Sequence, residues 1–124
     1  MTLALDHIIL HVSDARKSVQ FYSSTLGFEY EDFALLRVSP TTVLQLIQRP
    51  PETSQHLAFS MSRVEFDQTF SRLKAEGIAF GDNFDSVGAM NGPGKAHGSQ
   101  KNGDSIYFHD PDKHMLEIIC YDRV

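Results

Sequence analysis

The chain has 124 residues, of which 41% are hydrophobic, and this is enough for one ordinary globular domain with its own core. Eleven basic and sixteen acidic residues give a net charge of −5. No cluster of Lys and Arg stands out, so we expect binding to neither nucleic acid nor membranes. One cysteine, Cys120, excludes an internal disulfide. The sequence shows no signal peptide or membrane span, and we expect a soluble cytoplasmic protein.

The first half of the chain predicts a strand, a helix and three more strands. Residues 3–12 (LALDHIILHV) form the first strand, and alternation places His7 and His11 on one face. Ser13 or Asp14 then caps a helix at about 15–26, which ends at Gly27. The three short strands that follow are predicted at 28–30, 34–39 and 42–48. The rigid, polar segment 50–54 (PPETS) is the best candidate for an internal boundary.

The second half repeats this order. A strand at 55–61 opens on His56, a helix covers 65–76, and a further strand starts at residue 78. Residues 84–102 carry four glycines without a period, which predicts a long loop that could act as a mobile lid. A closing hairpin is predicted, with strands at 105–108 and 115–121. His97 is placed in the loop at 84–102, where it could close over a substrate, and His114, beside the turn, is assigned to the solvated surface.

The repeat is visible as fixed offsets in the sequence. An offset of 49 residues places His7 on His56, and an offset of 72 places Gln45 on Glu117. Each half therefore has one His in its first strand and one Gln or Glu in its last strand. We predict an α+β fold in which two tandem βαβββ modules, about 1–50 and 55–124, form one domain with a curved mixed β-sheet around a cavity.

These four positions predict a metal site. Two modules related by a pseudo-twofold axis would bring His7, Gln45, His56 and Glu117 together, and two imidazoles with a carboxylate suit a divalent first-row metal. The alternative is structural. A strand histidine is more often a hydrogen-bonded residue of the fold than a ligand, and Glu117 could simply pair with Lys113 or Arg123. Matched placement of the histidines in both halves favours the metal.

The motifs LDHIILHV, QHLAFSM and DPDKHMLEI, in a duplicated βαβββ pattern, resemble the vicinal oxygen chelate superfamily. This superfamily includes glyoxalases, fosfomycin-resistance enzymes, extradiol dioxygenases and the metal-free bleomycin-resistance proteins. The resemblance implies a glyoxalase-like fold and one divalent metal ion (Fe, Zn, Ni or Mn). It implies that His7, His56 and Glu117 bind this metal, with Gln45 at the fourth family position.

The resemblance implies an enzyme that acts on a small substrate with adjacent oxygens. The favoured reaction is that of a glyoxalase-like lyase or isomerase; the alternatives are an Fe(II) extradiol-type dioxygenase and a metal-free ligand-binding protein of the bleomycin-resistance type. Glu117, His11 and Tyr107 are the candidate catalytic residues. Gln45 is a poor base where many glyoxalases have a second carboxylate. Ile9 stands where fosfomycin enzymes have Thr or Glu, so fosfomycin modification is not expected.

Small members of the superfamily are often homodimers whose modules pair across chains. The resemblance therefore implies a homodimer in which His7 and Gln45 of one subunit meet His56 and Glu117 of the other. The short Pro50-Pro51 connection favours such sharing, because it limits how the two halves can fold back on each other.

Overall fold

The computed structural model describes residues 3–122 and divides the chain into two compact units, one ending at Thr53 and the other starting at Ser54. Each unit contains one helix and one mixed sheet. The α+β class and the two modules that the sequence predicts are confirmed. Neither of the helices in the described residues is long and apolar enough to cross a membrane.

The first unit is a four-stranded sheet with one helix. Its elements are β1 (His7–Val12), α1 (Ala15–Thr25), β2 (Glu29–Glu31), β3 (Leu35–Ser39) and β4 (Thr42–Gln48). The strand order is β1-β4-β3-β2, with β1 parallel to β4 and the other pairs antiparallel. The side chain of Asp14 caps α1 by accepting the amide of Lys17.

Alternation along the strands separates two faces of this sheet. One face is apolar and buried, and it supplies the core side chains Leu10, Val12, Leu36, Leu44 and Leu46. The register pairs His7 with Val43 and Ile9 with Gln45, so the other face carries His7, Gln45 and His11. The predicted placement of the two histidines on one face is therefore present in β1.

The second unit has the same plan, except that its edge strand is divided into two pieces. Its elements are β5 (His56–Ser60), α2 (Arg63–Ala75), β6 (Phe80–Gly81), β7 (Gly94–Gly98), β8 (Lys101–His109) and β9 (Met115–Cys120). The strand order is β5-β9-β8-β6, with β5 parallel to β9, and β7 also pairs with β8. Helix α2 starts with a capping box formed by Ser62 and Glu65. The core contains Phe66 and Leu73 of α2 with apolar residues of β8 and β9.

The predicted long loop at 84–102 is wrong in its second half. Strand β7 and the start of β8 lie inside it and pair with each other, from Gly94 opposite Ser105 to Gly98 opposite Lys101. Strands β6 and β7 follow the same edge of β8, so together they take the place that β2 has in the first unit. The sequence GKAHG has no apolar alternation, and backbone pairing with β8 rather than side-chain burial makes it a strand. His97 consequently lies in β7 and not in a lid.

Candidate metal centre

Glu117 is a carboxylate buried in the middle of β9, where only 5% of its surface is exposed. Its Oε1 lies 3.0 Å from His56 Nε2. Its Oε2 accepts a hydrogen bond of 2.7 Å from the hydroxyl of Ser105. Among the described residues Glu117 forms no ion pair with Lys113, and Arg123 lies outside them. The local environment of Glu117 is thus an imidazole and a hydroxyl, which stabilise a carboxylate withdrawn from water.

Strand register explains why these groups meet. Strand β9 lies between β5 and β8, and Glu117 is paired with Ala58 on one side and with Tyr107 on the other. His56 and Ser105 each lie two residues before those partners and therefore point to the same face as Glu117. Side chains from three adjacent strands converge on one carboxylate, and the sheet holds them rigidly.

Tyr107 completes the group. Burial, followed by the charge of Glu117 and a hydrogen bond with it, raises the pKa of Tyr107 to about 12. Its ring packs edge-on against the His56 imidazole, with ring centroids 6.1 Å apart. At neutral pH the phenol is therefore protonated, and it acts as a hydrogen-bond donor rather than as a base.

The pair formed by His56 and Glu117 has the chemistry and spacing of two metal ligands. An imidazole nitrogen and a carboxylate oxygen are donors that first-row divalent metals accept. Two ligands at right angles, each about 2.1 Å from an ion, lie about 3.0 Å apart, which matches the separation between Nε2 and Oε1. The His56 side chain is half exposed. These two residues fit a metal.

His7 is arranged differently in the first unit. Its Nδ1 lies 2.8 Å from Oδ2 of Asp6, and its side chain is half exposed. A carboxylate on Nδ1 orients an imidazole so that Nε2 is the nitrogen available to a metal. Gln45 is half-buried on the same face, in the neighbouring strand β4. His11 lies two positions beyond Ile9 on this face.

The structure brings the predicted residues together in two groups, one in each unit. His56, Glu117 and Tyr107 converge in the second unit, and His7, Gln45 and His11 share a face of the first. Within residues 3–122, no three His, Cys, Asp or Glu side chains form a group that could hold a metal ion. That all the predicted ligands bind one metal therefore stays a prediction.

Sequence reasoning missed Ser105, whose hydroxyl supports Glu117. A signal was available, because Ser105 lies two residues before Tyr107 and therefore on the same face of the predicted strand. The assignment of His114 to the solvated surface is wrong. His114 is 1% exposed, and its Nδ1 accepts a hydrogen bond of 3.0 Å from the Gln55 amide. The turn at 110–113 folds its imidazole inward, which a count of polar residues around the turn does not reveal.

Comparison with known proteins identifies the family. The model of the Glyoxalase/Bleomycin resistance protein/Dioxygenase superfamily matches residues 4–118. The chain is 30% identical over 129 residues to a glutathione transferase FosA of Serratia marcescens, covering 95% of this chain and 81% of that protein. It is 27% identical over 131 residues to the fosfomycin resistance protein FosX of Listeria monocytogenes, covering 95% of this chain and 90% of that protein.

Solved structures agree with this assignment. The structure of Oxidase ChaP-H2 matches with a TM-score of 0.78 and 28% sequence identity, over 98% of this chain and 96% of that chain. These relatives thus include a transferase and an oxidase, which are enzymes of different reaction classes on one fold. With a matching family model over nearly its whole length, the chain belongs to the Glyoxalase/Bleomycin resistance protein/Dioxygenase superfamily.

Proposed function

We propose that this protein is a metal-dependent enzyme that acts on a small substrate with two adjacent oxygens. The observation that carries the proposal is the buried Glu117 carboxylate with its Oε1 3.0 Å from Nε2 of the half-exposed His56. In the proposed site His7, His56 and Glu117 hold the ion. Gln45 lies at the fourth family position, and the remaining coordination positions are open to the substrate's oxygens. A bound divalent ion would supply Lewis acidity or, as iron(II), the activation of dioxygen.

The chain's own residues favour an oxygen-dependent reaction over a carboxylate proton shuttle. In the proposed site both oxygens of Glu117 are engaged, Oε1 with the metal ion and Oε2 with the hydroxyl of Ser105. A shuttle would have to break these interactions in each turnover. Two histidines and one carboxylate are also the ligand set typical of non-heme iron(II) oxygenases. The similarity to Oxidase ChaP-H2 supports the same reaction class.

Tyr107 supports a second candidate, the glyoxalase-like lyase or isomerase. A phenol that stays protonated at neutral pH can turn its hydrogen bond from Glu117 to an oxyanion that develops on a substrate. In this reaction His11, which shares a face with His7, would take the proton from carbon. Glu117 would then serve as a ligand, and the absence of a second carboxylate at Gln45 would be tolerated.

Fosfomycin, which the names of some relatives mention, is a poor candidate substrate. The residue two positions after His7 is Ile9, an apolar side chain that is 52% exposed on the ligand face. It offers neither a hydroxyl nor a carboxylate to a substrate. We expect a less polar substrate that contacts Ile9.

Elemental analysis tests the proposal. The native protein should carry about one divalent ion per chain, and His56→Ala and Glu117→Ala should lose it while staying folded. His97→Ala, which removes an exposed histidine of β7, should keep the metal and is the matched control. Iron would direct activity assays to catechols and related diols under oxygen. Zinc, nickel or manganese would direct them to 2-oxoaldehyde adducts. If the native protein takes up no added metal, the proposed metal-dependent enzyme is contradicted and a metal-free ligand-binding protein is supported.

A further inference from the structure

His114 is a buried histidine that the proposed reaction does not use. Its side chain is 1% exposed, and its Nδ1 accepts the Gln55 amide at 3.0 Å. Because this nitrogen accepts, the ring proton is assigned to Nε2. Gln55 directly precedes His56, so the bond is made at the entrance to the strand that carries a proposed ligand.

The same segment is held by a second bond from β9. The amide of Met115 donates to the Gln55 carbonyl at 2.8 Å. Gln55 is therefore fixed through both its amide and its carbonyl, by two consecutive residues, His114 and Met115. Since Met115 lies two residues before Glu117, these bonds set the start of β5 against the start of β9. A shift here would change the separation between His56 and Glu117.

The turn before β9 holds His114 in place. Asp110 is 4% exposed, and its Oδ1 accepts the amides of Asp112 and His114 at 2.8 and 2.9 Å. The Asp110 amide donates in turn to the His114 carbonyl at 3.1 Å. The imidazole is thus presented by a turn whose own polar groups are paired, which makes it a rigid support.

The first unit has a counterpart at the same place in the repeat. The offset of 72 residues places Thr42 on His114, and Thr42 donates its hydroxyl to the carbonyl of Leu5. The amide of Val43 donates to the Asp6 carbonyl at 3.0 Å, as Met115 does to Gln55. In both units, a side chain at the start of the last strand or directly before it binds the backbone one or two residues before the first-strand histidine. The polarity of this bond is opposite in the two units.

We propose that His114 is a positioning residue for the metal centre, because its Nδ1 fixes the entrance of β5 and thereby the place of His56 relative to Glu117. This inference rests on the proposed function, in which His56 and Glu117 bind a metal. Mutation of a residue that orients a metal ligand without touching the metal typically lowers metal affinity by about 10- to 100-fold. Thr42 takes the corresponding place for His7 in the first unit.

Two substitutions separate positioning from packing. His114→Asn keeps an acceptor close to the place of Nδ1, whereas His114→Leu fills the space without an acceptor. We expect manganese or zinc titration to give an affinity within about threefold of the native protein for His114→Asn and a loss of about tenfold or more for His114→Leu. Amide hydrogen exchange at Gln55 should be fast in His114→Leu and slow in His114→Asn.

The outcomes distinguish the two proposals. If both His114 variants bind metal as the native protein does, and differ from it only in thermal stability, His114 is merely structural and the inference is overturned. If the native protein binds no metal, or Glu117→Ala binds it equally well, the proposed function fails and this inference falls with it. Loss of affinity in both His114→Leu and Glu117→Ala, with retention in His114→Asn, supports both.

Discussion

Glu117 is a carboxylate that folding removes from water, and the hydroxyl of Ser105 compensates part of this cost. Ser105→Ala should lower the free energy of unfolding by about 1–3 kcal/mol, since a buried charged acceptor loses its donor. Ser18 provides a matched control, because this serine is equally buried and its hydroxyl has no partner among the described residues. Urea unfolding should show little or no loss for Ser18→Ala. Equal losses in the two variants would contradict a special role for Ser105.

Tyr107 makes the stability of the fold depend on pH in the alkaline range. Its pKa is about 12 in the folded chain against an ordinary value of 10, so the folded state binds the proton more tightly than the unfolded state. The stabilisation that comes from this proton is fully present below about pH 10. It is lost as the pH rises from about 10 to 12, and the total loss in the free energy of unfolding is about 2–3 kcal/mol. Chemical unfolding at several pH values should show this loss in the native protein and a smaller one in Tyr107→Phe. The same pH dependence of the free energy of unfolding in the two proteins would contradict this role of Tyr107.

Among the elements, the divided edge of the second sheet depends on two glycines in different ways. A Cβ on Gly81 would lie 2.1 Å from the backbone oxygen of Ser86, in the loop that separates β6 from β7. A Cβ on Gly98 would instead meet the phenol oxygen of Tyr121, the far end of a side chain that can turn away. We expect Gly81→Ala to destabilise the protein by about 1–3 kcal/mol and Gly98→Ala by clearly less. Thermal unfolding of both variants checks this, and the reverse order would contradict it.

The elements also show what the sequence could predict. Helices and strands with a strong apolar period were found, and the offset from Gln45 to Glu117 correctly matched the last strands of the two units. Strand β7 was missed because Gly94–Gly98 is polar and glycine-rich, and its pairing with β8 is a nonlocal backbone interaction. The inward turn of His114 was missed for a similar reason, since its partner, Gln55, lies 59 residues away.

For the whole molecule, the repeat in the sequence corresponds to two units with the same strand order, in which the first and last strands run parallel side by side. This pairing places a histidine and a Gln or Glu on one face of each sheet. The sequence could predict which residues are equivalent, because equivalence needs only an offset. It could not predict the distances between them, which depend on register and on supports such as His114.

The predicted homodimer with shared sites can be tested by combining two defective chains. If His7 of one subunit joins His56 and Glu117 of the other, a heterodimer of His7→Ala and Glu117→Ala subunits has one site with both defects and one intact site. In each mutant homodimer both sites carry one defect, so neither site is intact. Co-expression with two different affinity tags and tandem purification isolates the heterodimer. We expect about one metal ion per heterodimer and about none in either mutant homodimer. A heterodimer without metal would show that each site belongs to one chain, because every site would then carry one defect. A monomer in sedimentation equilibrium that still binds metal would exclude sharing altogether.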